Sequence, residues 1–94
     1  MSDNVRKIGD WAFSNCRSLE KIELSASLTE IGVGAFYDCR SLSVIRIPES
    51  VCRIARRAFY RCEKLTIHAP AGSYAEQYAK ENRIPYRKAP VTVA

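Results

Sequence analysis

The 94-residue chain is predicted to be an α/β solenoid, with three 23-residue coils stacked in register and a C-terminal cap helix. Three observations predict it. Five apolar identities recur at a spacing of 23. A short stretch of alternating residues follows each recurrence. A helix-start signal stands where the recurrence ends.

The first copy aligns Val5 to Leu19 with Leu28 to Leu42 and with Val51 to Leu65, at an offset of 23 each time. Ile8, Ile31 and Ile54 coincide, as do Ala12, Ala35 and Ala58, and Phe13, Phe36 and Phe59. So do Cys16, Cys39 and Cys62, and Leu19, Leu42 and Leu65. Gly9 and Gly32 match, and the third copy has Ala55. Ile22 and Leu24 match Ile45 and Ile47. After Leu65 the third copy reads as two residues short, which places Ile67, Ala69 and Pro70 opposite Ile45, Ile47 and Pro48. The repeats therefore span residues 5–27, 28–50 and 51–70 of a single domain. Ile22-Glu23-Leu24 and Ile45-Arg46-Ile47 alternate as half-buried strands do. One such strand cannot bury its apolar face alone. Coils stacked at roughly 4.8 Å would place equivalent residues in ladders and make one continuous core. Between strands, the Ile-Gly-x-x-Ala-Phe spacing suits a turn followed by a short helix or 3₁₀ segment.

Pro70-Ala71-Gly72 breaks the repeat. Ser73-Tyr74-Ala75-Glu76 then reads as a capping box, in which serine and the glutamate three residues on satisfy each other's backbone donors. The predicted helix runs over about 73–82. Tyr74, Ala75, Tyr78 and Ala79 form its apolar face, and Asn82 and Pro85 end it. That face would cover the last coil. Ile84-Pro85-Tyr86 is expected to add one last extended segment, and 87–94 a loose tail. At the other end only four residues precede the first copy. Val5, Ile8 and Phe13 then form an uncapped apolar edge, on which either further upstream coils of a longer protein or self-association, or both, are expected.

The motif Ile-Gly-x-x-Ala-Phe-x-x-Cys-x-x-Leu-x-x-Ile-x-Leu, as in Ile8 to Leu24, resembles the BspA-like (Treponema pallidum type) leucine-rich-repeat family. The stretch from Leu65 to Asn82 looks like the closing segment of such arrays. The resemblance covers about residues 5–86. It implies a right-handed leucine-rich-repeat solenoid with strands along one face. It also implies a large secreted or cell-surface parent, typically bacterial, that works by adhesion to a protein or glycan. It defines no catalytic residues and no cofactor. The start, Met1 to Lys7, has no apolar core behind it, so no signal peptide is expected, and no run of apolar residues is long enough to span a membrane.

Charge is uneven. Residues 1–50 carry six Lys/Arg and seven Asp/Glu, net −1, and residues 51–94 carry nine and three, net +6. The excess gathers at Arg53, Arg56, Arg57, Arg61 and Lys64. No nucleic-acid-binding motif accompanies it, so nucleic acid is not the expected partner. Cys16, Cys39 and Cys62 are expected to form a reduced, interior ladder. Their coil spacing is compatible with a disulfide, but no C-x-x-C pattern suggests zinc. Cys52 falls opposite Arg6 and Thr29 and is expected at the surface. His68 is the only histidine, and no nucleophile motif accompanies it, so no enzyme activity is expected.

The candidate site is the outward strand face: Glu20, Lys21, Glu23, Ser43, Val44, Arg46, Thr66 and His68. Trp11, Tyr37 and Tyr60 lie in the turning segments and are expected to cover the outside of the core. The sequence thus points to a non-catalytic binding module for a protein or glycan. The alternatives are a structural end-cap of a longer array with no ligand of its own, and a polyanion-binding surface on the basic third repeat.

Overall fold

The computed structural model describes residues 4–89. Two parallel sheets wind together. One holds β1 (Lys7–Ile8), β3 (Glu30–Ile31) and β5 (Arg53–Ile54). The other holds β2 (Lys21–Glu23), β4 (Val44–Arg46), β6 (Thr66–Ala69) and β7 (Tyr86–Lys88), with helix α1 (Tyr74–Glu81) inserted before the last strand. Register follows the repeat. Ile8 pairs with Ile31 and Ile31 with Ile54, while Ile22 pairs with Ile45 and Ile45 with Ile67. The last of these pairs has an offset of 22, so the third coil is one residue short, not two.

Ladders of identical residues fill the interior. Phe13 stacks on Phe36 with centroids 5.2 Å apart, and Phe36 on Phe59 at 5.4 Å. Leu28, Ile31, Ala35, Leu42, Ile45 and Ile67 are fully buried beside them. This is how strands of two or three residues hold together. Each is too short to persist alone, and parallel pairing commits its backbone groups to the next coil.

The turning segments contain no helix or 3₁₀ run, contrary to the sequence expectation. They alternate two kinds of bond. Ala12, Ser14 and Cys16 N–H groups donate locally to Gly9, Trp11 and Phe13 carbonyls. Trp11, Phe13 and Asn15 N–H groups donate instead to Val33, Ala35 and Tyr37 of the next coil. A helix would keep all its donors local, and here every second donor is recruited to hold the coils together. The alternation requires left-handed backbone at fixed places: Trp11, Gly34 and Arg57 (φ 61°, 60° and 58°), and Asn15, Asp38 and Arg61 (φ 61°, 59° and 66°). Each triplet is repeat-equivalent.

Of the thiol ladder expected in the interior only Cys39 is buried, Cys16 and Cys62 being partly exposed, and the ladder is free of disulfides among the described residues. Cys39 Sγ donates to the Phe13 carbonyl at 3.0 Å, and Cys62 Sγ to the Phe36 carbonyl at 2.9 Å. Burial pushes the Cys39 thiol up and the Cys62 thiol up to about 12. Cys52 is exposed.

Helix α1 closes the stack. Ser73 caps it, its Oγ accepting from Glu76 N–H, while Glu76 reaches back to Gly72 N–H at 2.6 Å. Ala75 and Ala79 are fully buried, and Tyr78 meets Phe59 edge-on. Tyr74 remains exposed, although its hydroxyl accepts from Ile54 N–H. Arg87 and Lys88, expected in the loose tail, instead pair with His68 and Ala69. Residues 90–94 of the expected tail lie outside the described residues. At the opposite end, a mostly apolar hollow is lined by Val5, Lys7, Ile8, Gly9, Ala12, Phe13 and Ile22.

Candidate functional site

Alternation puts Ile22, Ile45 and Ile67 inside, so their neighbours line the outer face in two rows. The first row is Lys21, Val44 and Thr66. The second is Glu23, Arg46 and His68. Glu20 and Ser43 stand just before the strands, where the Ser43 backbone N–H and Oγ both donate to the Glu20 carbonyl, at 2.8 and 3.2 Å. Six of the eight sequence-derived positions thus fall in two outward rows, and Glu20 and Ser43 stand at the entry to them.

The second row is the more structured. Arg46 Nη1 lies 3.7 Å from Glu23 Oε1. On its other side stands His68, and beyond it Arg87, the strand partner that β7 adds. Opposite charges side by side in a ladder stabilise neighbouring strands modestly. Glu23, Arg46 and His68 form one wall of an open hollow of about 400 Å³, whose apolar lining includes Leu24, Ile47, Pro48, Pro70 and Ala89. Such a surface, charged along one side and apolar on the floor, suits a ligand that presents both polar and apolar groups. Arg87, Pro48 and Pro70 were not among the sequence-derived positions. Arg87 was hidden by an Arg-Lys pair that reads as tail. The two prolines were visible as repeat-equivalent, but nothing in the sequence marked them as a floor.

The basic positions Arg53, Arg56, Arg57, Arg61 and Lys64 are all exposed. No group of His, Cys, Asp and Glu among the described residues has the arrangement of a metal site. No described helix is long and apolar enough to cross a membrane.

Parallel two-sheet coils with in-register ladders and one closing helix define a leucine-rich-repeat solenoid. The family described as BspA type leucine-rich repeat region (6 copies) matches residues 1–78, and the chain belongs to it. The crystal structure of a leucine-rich cell surface protein from Faecalibacterium prausnitzii A2-165 is similar, with 32% identity and a TM-score of 0.74. The match covers 84% of this chain and 21% of that one. The chain thus spans about a fifth of its structural neighbour's length. No curated protein matches it.

Proposed function

We propose that the chain is a non-catalytic recognition module of a bacterial cell-surface or secreted protein, binding a protein or glycan partner through the strand face in adhesion. The observation that carries this reading is the Glu23–Arg46–His68 row beside the apolar hollow. Membership of a leucine-rich-repeat family and likeness to a cell surface protein support it. Repeated modules would add avidity along a longer array. The test is charge reversal at Glu23 and Arg46 in the polypeptide that carries this sequence, followed by adhesion of the source cells to host-matrix and cell-surface preparations. Loss of adhesion with unchanged surface expression is the expected result. Unchanged adhesion favours the second reading, a structural end-cap, which draws on the closure of the core by α1. The apolar hollow at Val5, Ile8 and Phe13 is the surface on which a further coil or a second copy would stack. Light scattering at about 100 μM should then give a mass above the monomer, and a strictly monomeric mass counts against pairing of copies.

A further inference from the structure

On a part of the surface that shares no residue with the strand-face hollow, aromatic and arginine side chains converge. Trp11 and Tyr60 are 50% and 47% exposed. Tyr37 lies between them, 5.6 Å from Trp11 edge to face and 5.3 Å from Tyr60 in a stack. The guanidinium groups of Arg57 and Arg61 sit 5.6 and 5.8 Å from the Tyr60 centroid. Among the described residues no carboxylate pairs with either arginine. Asp38, the carboxylate at the position equivalent to Arg61, is buried and already held by Arg17 and Arg40. A shallow hollow beside Tyr60 runs to Tyr78 and Ile84.

Both arginines also occupy left-handed backbone, which side chains other than glycine, asparagine and aspartate rarely adopt. The equivalent positions hold Trp11 and Gly34 for Arg57, and Asn15 and Asp38 for Arg61. Fold maintenance alone would favour glycine, asparagine or aspartate. The arginines stand there against local preference, and together they give the stripe a net positive end.

We infer that this stripe is a docking surface for an acidic peptide segment of a partner protein, one that carries an aromatic or aliphatic anchor residue. Trp, Tyr and Arg are the residues that dominate protein contacts. The two unpaired guanidiniums call for carboxylates, and the hollow beside Tyr60 takes the anchor. The ring geometry separates this partner from nucleic acids and sugars, which bind by stacking on open aromatic faces. Tyr37 has neighbours at Trp11 and Tyr60, and Tyr60 has Tyr37 and the two guanidiniums. Tyr37 and Tyr60, the two central rings of the stripe, therefore offer edges in place of stacking platforms.

The test uses fluorescently labelled poly(Glu,Tyr) copolymer, with poly-Glu of equal length and oligo(dT) as comparators, and follows anisotropy across a salt series. The native chain should bind the copolymer about tenfold more tightly than poly-Glu. Arg57→Gly combined with Arg61→Asn borrows the residues of the equivalent positions, so its melting temperature should match or exceed that of the native chain while binding falls about tenfold or more. Tyr60→Ser, which takes the residue of the equivalent position Ser14, should abolish the preference for the copolymer over poly-Glu. Equal binding of copolymer and poly-Glu by the native chain overturns the proposal. So does native-like binding by the Arg57/Arg61 double variant. Tighter binding of oligo(dT) than of the copolymer overturns it in favour of a nucleic-acid surface. None of these outcomes bears on the strand face, because neither Glu23 nor Arg46 is altered.

Discussion

At Gly34 the backbone is left-handed, and the Trp11 ring lies where a β-carbon would go. Gly34→Ala should therefore lose about 1–2 kcal/mol from the backbone alone and displace the ring besides. At Gly9, where a β-carbon meets nothing within 4 Å and φ is not positive, Gly9→Ala should be tolerated. Urea denaturation with Trp11 fluorescence reads both variants. Asp38 makes a second residue-scale prediction. Hydrogen bonds from Arg40 above all, and from Arg17, hold its carboxyl below the ordinary value of 3.8. Stability from this charge is then full above that value and is lost as pH falls through the lower folded-state value. Asp38→Asn keeps a residue suited to left-handed backbone, as Asn15 does. It should lower the urea midpoint at about pH 5 and shrink the further drop seen at about pH 2.5. The thiols give a third. At pH 8 a disulfide reagent should modify exposed Cys52 quickly and spare Cys39 and Cys62 until the chain unfolds, when all four react. Fewer than four free thiols in the unfolded protein would overturn the reduced ladder. The cysteine ladder was legible because its spacing matched the phenylalanines'. The left-handed positions were not, because Trp11, Arg57 and Arg61 carry none of the usual signals for such backbone.

The elements differ in how openly the sequence announces them. Helix α1 was plain, since a capping box acts through local bonds that need no tertiary context. Ser73→Ala should cost about 1 kcal/mol in thermal or chemical unfolding, because it strips the Glu76 N–H of its acceptor. Strands β2, β4 and β6 were visible through alternation. Strands β1, β3 and β5 were not, since two residues define no period and only pairing with the next coil makes them strands. The turning segments misled for a related reason. Their i to i−3 bonds are those of a 3₁₀ turn, but every second donor is claimed from outside the segment. Most of the candidate site was legible for the reason the strands were, as an outward row follows once the inward one is known. The Arg87 extension depends on β7, whose charged residues give no strand signal.

Across the molecule the phenylalanine ladder concentrates stability at its centre. Phe36 is fully buried between two stacked rings, while Phe13, at the open end, is only partly buried. Phe36→Ala should cost about 3–5 kcal/mol, a large part of the roughly 5–15 kcal/mol typical of a domain, and Phe13→Ala distinctly less. Circular dichroism at rising urea separates the two. The solenoid also has a mechanical character. Its inter-coil hydrogen bonds run along the stacking direction, each coil bound to the next in one-coil register. Tension applied to the two ends of the chain cannot load all these bonds together. It opens them at the outermost coil first, then at the next. Each released coil of 23 residues frees at most roughly 76–83 Å of extended chain. A protein built on this plan and tethering a cell would yield under drag in discrete lengths, like a ratcheted line, and would rewind coil by coil when the load eased.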